Sequence, residues 1–304
     1  FIMAEMTGYE YSDIIVRAIL PAFLYFLGIF LGVHFKAKKL GLVGLKREEL
    51  PKWKILLPKI YLLLPLIVLT WMVIAGQTMA KSAIYGTIVA IVVGIINKDD
   101  RMTPTKFVNG LENGGKNCLS IGIACGIAGI ISVCITMTGL GGKIITYVVK
   151  LSIGHLFIAL FLTMICCIIL GMGVPTTANY IIMASTCAPI LINGMGMHIL
   201  AANMFVFYFG IVADITPPVA LAAYAGAAIA KAPPMKTALN ATRLAIAAFI
   251  IPYIFAYNNA MIFVGDVTFF GVASIVISAT LGMASIASGF IGYLINDLKW
   301  YSSI

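Results

Sequence analysis

The sequence predicts an all-α integral membrane protein, a multi-span helical bundle that includes a discontinuous helix. Three observations carry this. Hydrophobic residues make up 62% of the chain and charged residues 10%, a balance that leaves too little charge to cover a water-soluble surface of this size. Apolar runs of roughly 20 residues, the length that crosses a bilayer, recur along the chain. Two of those runs carry polar, proline-interrupted passages, GMGVPTTAN beginning at Gly171 and ADITPPVA beginning at Ala213.

The net charge of +9 comes from clustered cations: of 20 Lys and Arg, eight lie between Lys36 and Lys59 and four between Lys98 and Lys116. Two basic loops separated by two crossings obey the positive-inside rule and mark the cytoplasmic side with its anionic lipids. This distribution excludes nucleic acid as a partner.

The first span covers about Asp13 to Phe35 and runs into the basic block HFKAKKLGLVGLKREELPKWK. That block reads either as an amphipathic interfacial segment or as a solvated connector. A second span, about Ile60 to Ala75, returns after GQTMAK as a third, Ser82 to Ile96. The basic passage NKDDRMTPTKFVNGLENGGKN then reads as a loop ahead of a fourth span, Cys118 to Thr136. Gly122, Gly126 and Gly129 in that span suit close helix contact. Beyond Gly139 the pattern is irregular: IITYVVKLSIG is short, and LFIALFLTMICCIIL leads directly into the first interrupted passage. PPMKTALNATR reads as an interfacial helix with Pro234 in its first turn. Ordinary apolar helices follow, about Ala245 to Phe263 and Phe270 to Leu294.

The interrupted passages are the functional candidates. Irregular backbone survives at membrane depth only when it is buried in protein or lines a cavity. Gly171 and Gly173 relax the backbone, and Pro175 removes an N–H. Carbonyl oxygens around Val174, with the hydroxyls of Thr176 and Thr177 and the amide of Asn179, could replace the hydration shell of a small hard cation. Helix N-termini nearby favour a carboxylate. In the second passage Thr216, Pro217 and Pro218 interrupt a helix behind Asp214, the sole acidic residue between Glu112 and Asp266. An intramembrane carboxylate is a functional candidate; the alternative is that Asp214 caps a half-helix starting at Thr216. The bland reading of both passages is a pair of kinked helices. As a metal site, a small hard cation at Gly171, Gly173, Thr177 and Thr216 is expected, and no cofactor or other metal.

Little else in the sequence carries chemistry. The cysteines (Cys118, Cys125, Cys134, Cys166, Cys167, Cys187) sit inside apolar runs and read as small buried side chains rather than ligands or disulfides. His34, His155 and His198 fall at span ends. No catalytic triad, zinc cluster or phosphate loop is readable, so no enzyme is expected. The opening FIMAEMTGYE lacks a basic region before an apolar core and is not a signal peptide.

LGMGVPTTANYIIMA followed by MFVFYFGIVADITPPVALAAYAGAAIA resembles the large membrane subunit of tripartite ATP-independent periplasmic (TRAP) transporters. The opening FIMAE, the linker HFKAKKLGLVGLKREELP and RLAIAAFIIPYIFAYNNAMI are similar to the fused-permease branch that works with TAXI-type binding proteins. The resemblance covers roughly Phe1 to Phe263. It implies an importer of organic anions or amino acids in a bacterial or archaeal inner membrane, coupled to sodium. A periplasmic binding protein delivers substrate, and a small membrane subunit, separate or fused upstream, is a partner beside membrane lipids. It also implies inverted repeats and an elevator motion, with GMGVPTTA in a re-entrant hairpin and DITPPVA in the adjoining discontinuous helix. The first repeat is expected before Phe1, so the chain reads as a partial sequence.

On these grounds residues 1–35 are assigned to the end of the first repeat, 36–59 to a cytoplasmic linker and 60–138 to scaffold helices. Residues 139–232 form the transport region, and 233–304 the amphipathic helix with the C-terminal spans. The competing readings are a proton-coupled transporter or channel of the same architecture, and a membrane scaffold that transports nothing.

Overall fold

The computed structural model describes the chain except residues 43, 45–56, 98–100, 153, 173, 175, 218–219, 266, 295 and 297–304. Gly173, Pro175, Pro218 and most of the basic linker therefore lie outside the described residues. The surroundings of Gly122, Cys125 and Gly129 do so too. The described residues form helices: α1 (Ile2–Thr7), α2 (Tyr11–Lys39), a 3₁₀ turn (Leu57–Leu63), α3 (Leu64–Ile74), α4 (Met79–Ile96), α5 (Pro104–Met137) and α6 (Leu140–Ser152). These are followed by α7 (Leu156–Gly171), α8 (Thr176–Thr186), α9 (Ala188–Met195), α10 (Ile199–Ala213), α11 (Leu221–Ala230), α12 (Pro234–Leu244), α13 (Ile246–Tyr257), a second 3₁₀ turn (Asn259–Ile262) and α14 (Phe269–Ile291). Among the described residues four segments are by length and composition apolar enough to cross a membrane: Tyr11–Lys39, Thr176–Met195, Pro234–Tyr257, which joins α12 and α13 across a turn at Ala245, and Phe269–Ile291. The protein is an all-α integral membrane protein.

One expectation needs correction. From Pro104 onward the basic passage before Cys118 is helix rather than loop, because α5 runs unbroken from Pro104 to Met137. Pro104 occupies the first turn, where its missing N–H costs nothing. Glu112 and Lys116 then pair across one turn at 2.6 Å, a helix-favouring spacing. Gly126 in the same helix meets nothing within 4 Å of where a Cβ would stand, so no close helix contact exists there.

The chain divides into two compact units. The smaller comprises residues 10–15 and 43–120. Its centre is an antiparallel hairpin of α3 and α4, turned at Gly76 with φ 72°. Gly86 brings α4 against Leu69, and Met102 folds back to donate its N–H to the Gly94 carbonyl at 2.9 Å.

The larger unit comprises residues 1–9, 16–42 and 121–304. Its core is α10, buried on nearly every side from Leu200 to Ala213, as a helix that is apolar all round must be. α7, α8, α9 and α13 pack around it. Phe205, Phe209 and Tyr253 form an edge-to-face aromatic cluster with centroids 4.8–6.0 Å apart, a geometry that adds to the area they bury.

Charge marks the two ends of this unit. At one end the last turn of α2 carries Lys36, Lys38 and Lys39, and Lys39 donates to the Ile291 carbonyl at 2.6 Å, satisfying the C-terminus of α14. There α12 leans on α2, where Gly32 admits the Leu244 carbonyl to 3.1 Å from a notional Cβ. The positive-inside rule associates such a cluster of cations with the cytoplasmic face.

The other end holds a cluster around His198. Its Nδ1 accepts the Leu200 N–H at 3.2 Å and so caps α10. Its Nε2 lies 3.3 Å from the Tyr9 hydroxyl. Arg17 stands over the Tyr9 ring and donates to the Phe263 carbonyl. Burial, and secondly the Arg17 guanidinium, hold the imidazole below its ordinary pKa.

The folded state therefore favours neutral His198 while the unfolded chain binds the proton more readily. The associated stability is complete above the unfolded pKa of about 6.5 and is lost as pH falls from there through the depressed folded value. His198→Asn keeps an acceptor for the cap and removes the titration. Its melting temperature should fall less than that of the parent between about pH 7.5 and about pH 5, measured by thermal shift in detergent.

Candidate functional site

α7 has 16 residues and α10 has 15. At about 1.5 Å per residue they are about 24 and 22 Å long, short of the roughly 30 Å hydrocarbon core. Their ends at Gly171 and Ala213 meet. A Cβ added to Gly171 would stand 2.9 Å from the Ala213 Cβ, 2.8 Å from Asn179 Nδ2 and 3.0 Å from Met183 Cε. Only hydrogen fits there. Gly210 is similarly constrained, with Met183 Sδ at 3.1 Å and Asn179 Nδ2 at 3.3 Å from its notional Cβ. Glycine at 171 thus serves close approach of three helices, a role distinct from the backbone freedom read from the sequence.

Asn179 is the polar centre of this junction. It is 1% exposed, and its Nδ2 donates to the Gly210 carbonyl at 3.1 Å. That bond orients the amide and leaves Oδ1 buried with no hydrogen-bond partner among the described residues. An orphaned buried carbonyl oxygen costs roughly 1–3 kcal/mol, which a cation or donor at this point would offset. One residue on, the Tyr180 hydroxyl donates to Asn203 Oδ1 at 2.7 Å, and the Asn203 Nδ2 donates to the Ile199 carbonyl at 2.9 Å. Two consecutive residues of α8 are thereby bonded to α10. Tyr180 and Asn203 were missed in the sequence, since a tyrosine in an apolar run gives no sign of its partner.

The remaining residues of the first passage sit around this junction. Val174 is half-buried against Ala178 and Ile182. Thr176 and Thr177 open α8 and are exposed, so their hydroxyls and the first N–H groups of the helix face outward from the packed core. Such N–H groups have no intrahelical partner.

The second passage replaces helical bonds with a different set. The half-helix begins at Leu221, five residues beyond Thr216. Asp214 ends α10, and its backbone carbonyl, rather than its side chain, accepts the Ala222 N–H at 3.0 Å. The Ile215 carbonyl accepts the Thr242 hydroxyl of α12 at 2.9 Å, and the Thr216 carbonyl accepts the Ala220 N–H at 3.3 Å. Ala220 pays for this turn with φ 35°, a left-handed conformation unusual for alanine. Each of these carbonyls keeps a second lone pair, and the Thr216 hydroxyl, which donates to the Val212 carbonyl at 2.7 Å, keeps both of its own. Asp214 and Pro217 are half-buried, and no side-chain hydrogen bond or ion pair reaches Asp214 among the described residues. No cluster of three His, Cys, Asp or Glu suited to a transition metal occurs among the described residues.

With this geometry in place, the comparison with known families is decisive. The chain matches the family described as tripartite ATP-independent periplasmic transporter, DctM component, over residues 1–270. The protein belongs to that family. It is a TRAP transporter membrane component, and the two interrupted passages lie inside the matched region. No curated protein and no solved structure matches it.

The tight junction yields a test within this DctM chain. Gly171→Ala should destabilise the protein by about 1–3 kcal/mol through overpacking, seen as a lower melting temperature. Gly226→Ala, in α11 where nothing lies within 4 Å, should be neutral or stabilising by about 0.5–1 kcal/mol.

Proposed function

We propose that this chain is the permease of a sodium-coupled importer of organic anions or amino acids. It works in the cytoplasmic membrane of a bacterium or archaeon. The observation that carries the reading is the junction at Gly171, Asn179, Gly210 and Ala213. Two helices that stop short of crossing meet there beside a buried amide oxygen without a partner. Sodium is the ion favoured by this chemistry, because the available groups are neutral oxygens: Asn179 Oδ1, the Thr177 and Thr216 hydroxyls, and backbone carbonyls of the two breaks. Carbonyls and hydroxyls suit a monovalent hard cation, and interrupted helices are where secondary transporters build such sites. The exposed N-terminus of α8, with its free N–H groups and positive dipole end, is suited to the carboxylate of a substrate. Gly173, Pro175 and Pro218 belong to the same turns by sequence. A periplasmic binding protein of the TAXI type and a small membrane subunit complete the proposed system, and an elevator motion of the hairpin with α10 and α11 provides alternating access.

A proton-coupled mechanism is the second reading, favoured by the half-buried carboxylate of Asp214. The two separate cleanly. The test is uptake by the intact protein in proteoliposomes, with its binding protein supplied outside and either a sodium or a proton gradient imposed. Sodium-driven uptake supports the first reading. Uptake driven by protons alone, and abolished in Asp214→Asn, supports the second.

Thr177→Val removes one hydroxyl at nearly constant volume. It should weaken the half-saturating sodium concentration by about fivefold, about 1 kcal/mol, with expression unchanged. An unaltered sodium dependence would remove Thr177 from the ligand set.

A further inference from the structure

α12 (Pro234–Leu244) has three distinct faces. The inner face centres on Ala238, buried in a cluster with Ala220 and Ala223. Thr242 on that face reaches the Ile215 carbonyl at 2.9 Å, with the Ala238 carbonyl of its own helix at 3.0 Å. At about 100° per residue, Met235 and Leu239 fall next, and they are 49% and 48% exposed. Lys236 and Arg243, seven residues apart and both exposed, lie further round on the same side. Apolar side chains beside the packed face and cations beyond them is the order of a helix lying at a membrane surface.

The cations do not stand alone. α12 abuts the end of α2 through Leu244 and Gly32, where Lys36 and Lys38 are exposed, and Lys231 is exposed just ahead of α12. Among the described residues of this unit the acidic groups are Glu5 in α1 and Asp214 in the break. Among the described residues these surfaces therefore carry five cations, Lys36, Lys38, Lys231, Lys236 and Arg243, and no exposed carboxylate.

We propose that α12 is a docking surface for anionic phospholipid headgroups of the cytoplasmic leaflet, and that it passes their occupancy to the broken helix through Thr242 and Ala238. Charge complementarity selects the occupant. The hydrogen bond from Thr242 ends one residue from Asp214, so a shift of α12 toward headgroups moves an acceptor that holds the break in shape. The second half of this proposal rests on the sodium site proposed above; the first half does not.

The experiment reconstitutes the intact protein in phosphatidylcholine vesicles with and without about 30% phosphatidylglycerol. Two readouts are taken: the lipids that remain bound on native mass spectrometry, and the sodium midpoint of uptake. The expected result is retention of phosphatidylglycerol over phosphatidylcholine by the parent, reduced about tenfold in the K236Q/R243Q variant, and a sodium midpoint several-fold lower in anionic vesicles. Thr242→Val should retain the anionic lipid and lose its effect on the midpoint, while Thr242→Ser should keep both. Equal retention of the two lipids by the parent, or retention unchanged in K236Q/R243Q, overturns the docking surface. Selective retention with the same sodium midpoint in both vesicles overturns the coupling. If the parent shows no sodium response in either vesicle, the sodium reading and the coupling fall together, and retention still decides the docking surface.

Discussion

Backbone polar groups in hydrocarbon must find partners inside the protein, and the larger unit of this structure is arranged around that requirement. α7 and α10 are each too short to cross the hydrocarbon core alone, and their ends leave carbonyl and N–H groups without intrahelical partners. The structure answers at the second break with hydrogen bonds drawn from several places: the Asp214 carbonyl with Ala222, the Ile215 carbonyl with Thr242, and the Thr216 carbonyl with Ala220. Beside the first break it is a side-chain group, Asn179 Oδ1, that is buried with no partner among the described residues. Of the buried side-chain oxygens without a partner among the described residues, Thr163 Oγ1, Asn179 Oδ1 and Asn259 Oδ1, that of Asn179 stands where the ends of α7 and α10 meet, and a cation there would offset its cost.

Packing and chemistry are inseparable at this junction. Gly171 and Gly210 lack side chains because Asn179 and Met183 occupy that space. The amide is held by Gly210 on one side, and α8 is fixed to α10 again through Tyr180 and Asn203. A bulkier residue at 171 would push α7 away from Ala213 and open the site. The same contact that stabilises the fold therefore sets the distance between the two passages.

The first and last spans and both breaks were legible in the sequence, because hydropathy and Gly/Pro punctuation report local backbone demands; the expected second and third spans are among the shorter apolar helices. The helical start of α12 at Pro234 was legible for the same reason. What the sequence concealed is set by distant partners. Thr242 reads as one more polar residue of an amphipathic helix until its hydroxyl is seen on Ile215. The half-helix start at Leu221 depends on a carbonyl of Asp214 folding back across the break, which no local pattern states. The basic passage of α5 read as a loop because charge and glycine outweighed its unbroken helical spacing. For Asn179 the sequence indicated a need for a partner; that only one half of its amide has one is a matter of packing.

The measurement that tests the central claim most directly is the melting temperature of the purified intact protein in sodium against potassium at equal ionic strength, for the parent and for Asn179→Leu. A ligand bound only by the folded state at 100 times its dissociation constant adds about 2.7 kcal/mol. A sodium-specific rise in the parent that disappears in Asn179→Leu, with the variant still folded in potassium, is the predicted result. The same melting temperature in both salts for the parent, or a sodium rise undiminished in Asn179→Leu, would contradict an ion site at this junction.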